Sequence, residues 1–206
     1  MSHSKVIVEG GVPLRHAKKA LVVLHGRGGD AHDMLALASH LPVNEFYIAA
    51  PQATHHTWYP FSFMAAIQQN EPWLSSALNI IKELCNDIRG QGIAAENIYL
   101  LGFSQGACLT AEFAARNAQR YGGIVAFTGG LVGERFDATR YEGNFASTPV
   151  LLTNGNNDPH VPLLRSEQSK QQFESMQANV TLRIYPNRPH TILPEELQLA
   201  STLLKK

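Results

Sequence analysis

The chain has 206 residues, 44% of them apolar and 17% charged, which suits one globular unit with a sizeable core. Lys plus Arg equals Asp plus Glu, at 17 each. That balance argues against nucleic acid or an anionic membrane surface as the main partner, because both call for a basic excess.

In chain order, short runs rich in branched residues read as strands at Val6–Val8, Leu21–Leu24, Phe46–Ala49, Ile98–Leu101, Ile124–Phe127, Val150–Leu152 and Val180–Tyr185. Most lack strict alternation, so a sheet covered on both faces is expected. Helical patterns fall between many of them. Asp30–His40 opens on an acidic N-cap candidate. Trp73–Arg89 puts Leu74, Ala77, Leu78, Ile81, Leu84, Cys85 and Ile88 on one face, follows Pro72 and stops at Gly90, as boundary signals predict. Gln105–Arg120 is alanine-rich and suits close packing on a sheet. Leu163–Gln177 and Pro194–Leu204 complete the set. Strands alternating with helices predict an α/β fold with a mostly parallel sheet, in one domain spanning residues 1–206.

Two stretches fit neither pattern, Pro51–Glu71 and Thr128–Pro149, and long loops of this kind often wall a site. The second is too short for a cap domain, so a fairly open cleft is expected. Its walls are read as the aromatics of Pro51–Glu71 together with Leu131 and Val132. Trp58 could line that cleft or fill the core beneath the loop. Trp58 and Leu131 are the expected substrate contacts.

Gly102-Phe103-Ser104-Gln105-Gly106 reads G-x-S-x-G and lies between a strand and a helix. On such a turn the serine hydroxyl is pushed clear of the sheet. The glycines are needed because side chains two positions either side of Ser104 would collide as strand and helix close up. A serine hydroxyl is a weak nucleophile and needs a base, usually a histidine oriented by a carboxylate. In this kind of sheet ligands sit outside the carboxyl ends of the strands, and the chain order for the motif is Ser, acid, His. Only His160 and His190 follow Ser104, and only Asp137 and Asp158 lie between Ser104 and His190. Asp158 closely follows the Val150–Leu152 run and His190 follows Val180–Tyr185. Asp137 is ten residues past its strand, and His160 falls where the acid belongs. Ser104, Asp158 and His190 are therefore the predicted triad.

Transition-state charge needs two backbone N–H groups. One is assigned to Gln105, at a helix N-terminus where the dipole favours negative charge. The other is assigned to the turn His25-Gly26-Arg27-Gly28-Gly29, from Arg27 or Gly28. A phosphate-binding reading of this turn fails on spacing, because neither G-x-x-x-x-G-K-[ST] nor G-x-G-x-x-G is met.

Leu24-His25-Gly26-Arg27-Gly28-Gly29, Gly102-Phe103-Ser104-Gln105-Gly106-Ala107 and Asp158-Pro159-His160-Val161-Pro162, with the late His190, resemble the phospholipase/carboxylesterase family of α/β-hydrolases. Acyl-protein thioesterases belong to that family. The resemblance spans nearly the whole chain. It implies hydrolysis of small carboxylic esters, with thioesters or lysophospholipids as variants, through an acyl-enzyme on Ser104. It also implies Arg27 as the second N–H donor, and Trp58 matches an aromatic segment near the family's active site. Two departures stand out. The family's histidine loop is usually glycine-rich, whereas Arg188-Pro189 precedes His190 here. Pro51–Glu71 only weakly resembles the segment that accommodates a lipid chain in thioesterase members. Two other readings stand beside the esterase: a non-catalytic hydrolase-like binding protein, and a serine hydrolase of another bond such as a peptide amide.

No metal or cofactor is expected. His55 and His56 are adjacent and point different ways, with no metal-ligand spacing around them. Cys85 and Cys108 sit in apolar helical patterns and read as buried free thiols. Residues Met1–Gly10 lack an apolar stretch of signal-peptide length, and no run approaches 18 apolar residues. The expectation is a cytoplasmic chain without stable membrane insertion. The sequence sets no oligomeric state.

Overall fold

The computed structural model describes residues Ser2–Lys205. Seven strands form one sheet: β1 (Ile7–Gly11), β2 (Lys19–Leu24), β3 (Phe46–Pro51), β4 (Ile98–Phe103), β5 (Gly123–Phe127), β6 (Pro149–Gly155) and β7 (Asn179–Tyr185). Their spatial order is β1-β3-β2-β4-β5-β6-β7. Only β1 runs antiparallel, against β3, and every other pairing is parallel. Among the described residues six α-helices accompany the sheet: α1 (Ala31–Ala38), α2 (Ile67–Asn70), α3 (Trp73–Gly90), α4 (Gln105–Arg116), α5 (Leu163–Ser175) and α6 (Pro194–Leu204).

The central strands are buried on both faces because successive side chains feed two separate cores. Ala20, Val22, Ile98, Leu100, Ile124, Ala126, Val150 and Leu152 point to the core beneath α3, α4 and α5. Leu21, Val23, Tyr99, Leu101, Val125, Phe127 and Leu151 point to the opposite core, under α1 and α6. Each large apolar side chain so buried contributes about 1.5–3 kcal/mol. Strand β7 differs. It alternates between exposed and half-buried residues, because it is an edge strand with one face on α5 and the other largely in solvent.

Local signals explain most boundaries. Asp30 caps α1 through the N–H groups of His32 and Asp33, and Asp33 returns the bond to the Asp30 N–H. Such a cap is worth about 1 kcal/mol. Helix α3 buries the seven predicted positions and Ile80 as well. Helix α4 is a correction. It ends at Arg116, four residues before the expected Arg120. Asn117 leaves the helical region and turns its side-chain amide back onto the Phe113 carbonyl. The Asn117 carbonyl accepts from the buried Tyr121 hydroxyl, which sets the chain on course for β5. Helix α5 likewise stops at Ser175, two residues short of the expected Gln177.

Among the described residues no helix is long and apolar enough to cross a membrane. Both cysteines are buried and unbridged. Burial pushes each thiol up to about 12, so neither is a ready nucleophile.

Candidate active site

The site lies at the carboxyl ends of β2, β4, β5, β6 and β7. Between β4 and α4 the chain reverses so tightly that Ser104 takes φ 55°, ψ −118°, a region a side chain rarely occupies. The turn leaves no room on either flank. A Cβ on Gly102 would sit 2.3 Å from the Gly106 carbonyl oxygen, and one on Gly106 would sit 2.2 Å from that of Leu24. The predicted steric role of both glycines is visible in those distances. The elbow is anchored through its own backbone, with the Ser104 N–H donating to the Phe127 carbonyl at 3.0 Å.

Ser104, Asp158 and His190, 32 to 86 residues apart in the chain, meet above this turn. His190 Nε2 lies 2.8 Å from Ser104 Oγ, and Nδ1 lies 2.8 Å from Asp158 Oδ2. The other carboxylate oxygen, Oδ1, accepts the N–H groups of His160 and Val161 at 2.9 and 3.0 Å. Burial pushes the Asp158 carboxyl up, but the bond from His190 and those two N–H groups outweigh it and hold the group below its ordinary value. An ionised carboxylate only accepts, so Nδ1 carries the ring proton and Nε2 is left to accept from the serine hydroxyl. Asp137 is elsewhere, capping the Ala138–Arg140 turn. His160 stands edge-on to His190, ring centres 4.8 Å apart, and Phe103 packs against the same ring at 5.3 Å.

The Gly-rich turn after β2 faces the elbow. The Gly28 N–H is spent on the His56 carbonyl at 2.8 Å. Among the described residues the N–H groups of Arg27 and Gln105 have no intramolecular acceptor, and both residues line the cleft. The Arg27 guanidinium turns away from this task and holds three consecutive carbonyls, of Tyr59, Pro60 and Phe61. The Gln105 side chain does similar work from the elbow. Its carbonyl accepts from the Trp58 N–H, and its amide donates to the Tyr59 carbonyl. Two polar side chains flanking the site thus fix the irregular 57–61 segment.

The cleft beside Ser104 has a volume of about 430 Å³. Tyr59 to Phe63 form one wall, and His160 with Val161 form the other. Phe61 stands 54% exposed at the rim. The expected contacts Trp58 and Leu131 are placed differently: both are 0% exposed and do not line the cleft. Trp58 donates its indole N–H to the His25 carbonyl, beneath the loop. Leu131 and Val132 are pulled into the core by polar ties, since Ser169 accepts the Leu131 N–H and the buried Glu112 accepts that of Val132. Arg165 also donates to the Leu131 and Gly133 carbonyls. Sequence reasoning missed His160 and Val161 as wall residues, although their position directly after Asp158 was the available signal. No cluster of metal-ligating side chains occurs among the described residues.

A parallel sheet flanked by helices, with a serine on a strained strand-to-helix turn and a hydrogen-bonded His and Asp beside it, defines the α/β-hydrolase class. A profile described as phospholipase/carboxylesterase matches residues 4–206. The chain belongs to that family of ester-cleaving hydrolases. It is similar to the crystal structure of a phospholipase/carboxylesterase from Dyadobacter fermentans DSM 18053. That match has 52% identity and a TM-score of 0.98, covering 100% of this chain and 99% of the other. Among curated relatives, an acyl-protein thioesterase 1 of Eremothecium gossypii is 27% identical over 92% of this chain and 88% of its own. One of Gibberella zeae is 31% identical over 56% of this chain, a match spanning half of the relative's length.

Proposed function

We propose that the chain hydrolyses small carboxylic esters through an acyl-enzyme on Ser104, with residues 1–206 acting as one catalytic domain. The observation that carries this reading is the unbroken hydrogen-bonded chain from Ser104 Oγ through His190 to Asp158, with both links at 2.8 Å. His190 Nε2 takes the hydroxyl proton as Oγ attacks the acyl carbon. The carbonyl oxygen gains the negative charge and receives the N–H groups of Arg27 and Gln105, the latter at the positive end of α4. His190 then gives its proton to the leaving oxygen as that bond breaks. Water repeats the steps, with His190 as base, and frees the acid. Asp158 orients the ring and stabilises its cationic form.

Tyr59, Phe61 and Phe63 face the substrate in this reading, and Trp58 supports their loop from below. The thioesterase names of the fungal relatives extend the substrate class to thioesters, whose thiolate leaves with less help from a proton. Peptide amides need more protonation of a poorer leaving group and are expected to be cleaved slowly. Two unbridged thiols fit a reducing compartment, and we place the enzyme in the cytoplasm. The test is Ser104→Ala assayed on p-nitrophenyl acetate and a short acyl thioester. A loss of roughly 10⁴–10⁶-fold in kcat is expected. Hydrolysis at the unmutated rate would return the chain to the class of non-catalytic relatives with a contaminating esterase.

A further inference from the structure

Arg188 has no part in the steps above, yet it lies beneath them. Its side chain is 1% exposed and that of its partner Glu196 is 0% exposed. Guanidinium Nη1 donates to the Thr191 carbonyl and stands 3.4 Å from Glu196 Oε2, while Nη2 donates to Thr128 Oγ1 at 2.5 Å. Among the described residues Nε finds no acceptor. Glu196 is occupied in turn, by the Thr153 hydroxyl on Oε1 and by the Leu193 N–H on Oε2.

These partners connect to the segments beside the other two members of the triad: Thr128 follows β5, and Glu196, on α6, holds Thr153 of β6. Thr128 directly follows Phe127, whose carbonyl holds the Ser104 N–H, and the Thr128 N–H donates to the Thr153 carbonyl. Thr153 lies on β6, the strand that leads to Asp158. His190 itself sits in a loop, and among the described residues its own N–H and C=O make no hydrogen bond. The loop must therefore be held by its neighbours. Asn156 of the acid loop accepts the Asn187 N–H at 2.9 Å, and Arg188 reaches from the histidine loop to Thr128 beside the serine turn and, through Glu196, to Thr153 on β6.

A buried ion pair is a poor way to gain stability, because desolvation offsets most of the attraction. A planar guanidinium with donors in a fixed fork is a good way to fix geometry. Resting on the reading of Ser104, Asp158 and His190 above, we propose that Arg188 is a positioning residue for the hydrolysis. By pinning residues 186–191 to Thr128 and Glu196, it keeps the His190 ring between Ser104 and Asp158. A glycine-rich loop could not do this through side chains. The arginine supplies from the core what a tight backbone turn supplies elsewhere.

The test compares kcat, KM and Tm for p-nitrophenyl acetate hydrolysis. Arg188→Met alone strands a buried carboxylate and is expected to unfold readily, so it is paired with Glu196→Gln, which leaves no unmatched charge and keeps an acceptor for Leu193. In that double variant kcat is expected to fall about 10–100-fold, since a misplacement near 1 Å has that order of effect. KM should stay within about threefold, because uniform substrate binding is untouched. Arg188→Lys, which keeps the charge and loses the fork, should fall between the two. Thr128→Val removes one acceptor of the buried guanidinium, so its kcat should drop several-fold with a modest fall in Tm and the fold retained. It decides alone if the double variant fails to fold. Wild-type kcat in the folded double variant, or in Thr128→Val in that event, overturns the proposal. If Ser104→Ala is equally active in the same assay, it is the reading of the site that has failed, not the role of Arg188.

Discussion

The serine turn and the histidine loop carry the two side chains proposed to act together in the reaction, but they are built by opposite means. Residues 102–106 are shaped by their own covalent limits. Two missing Cβ atoms let strand and helix close up, and the serine is forced outward at positive φ. Residues 186–191 have local constraints too, in Pro186, Pro189 and Asn187 at φ 53°, but these do not tie the loop to the sheet. The loop is anchored through Arg188 to Glu196 and Thr128, through Glu196 to Thr153, and by Asn156 at the Asn187 N–H, contacts drawn from across the fold. Local sterics make a rigid feature with few residues. Remote polar contacts can place a side chain equally well, but only once the rest of the chain has folded.

The contrast can be broken from either side. The largest effect is expected at the acid on which the histidine leans. Asp158→Asn keeps the shape but favours the wrong tautomer of His190, and kcat should fall roughly 10⁴-fold. The same variant tests stability. The Asp158 carboxyl is held below its ordinary value in the folded chain, so the stability it adds is fully present above the unfolded value of about 3.9. That contribution is lost as pH falls through the lower, folded value. The Tm gap between wild type and Asp158→Asn should therefore be wide at pH 7 and close in strong acid. A gap that widens in acid would contradict the assignment.

Next comes Gly106→Ala, which acts on the local side. Its new Cβ would meet the Leu24 carbonyl oxygen at 2.2 Å, so strand and helix must separate. A loss of about 3 kcal/mol in urea unfolding is expected, together with most of the activity. The smallest effect belongs to Arg27→Ala. The Arg27 backbone N–H, the proposed oxyanion donor, survives in alanine, while the guanidinium that ties carbonyls 59–61 is lost. KM should rise a few-fold with kcat nearly intact, whereas a large fall in kcat would mean that the side chain acts on the reaction itself.

The same contrast explains what could be read in the sequence. The elbow was legible because its cause is local: two glycines, a strand and a helix in one short stretch. Asp158 and His190 were legible through chain order and their places behind strands, and the structure brings both to Ser104. Burial in irregular segments was not legible. Trp58 and Leu131 were expected in the cleft, but polar anchors hidden elsewhere, such as the His25 carbonyl and Glu112, drew their segments inward. Arg188 was visible only as a departure from the family's pattern. An arginine beside two prolines and an asparagine reads as surface, and nothing nearby in sequence announces Thr128, 60 residues away, as its partner. The early end of α4 is a different case: its ties are local, Asn117 to the Phe113 carbonyl and Tyr121 to the Asn117 carbonyl, but no glycine or proline marks the stop.

The central claim is that the acyl group passes through Ser104. Rapid acid quench of p-nitrophenyl acetate turnover, followed by mass spectrometry of the peptides, tests it most directly. The account predicts a single acetyl group on the peptide bearing Ser104, accumulating further in Asp158→Asn if deacylation becomes slow, and absent from Ser104→Ala. An acetyl group required for turnover but carried on another residue would contradict it.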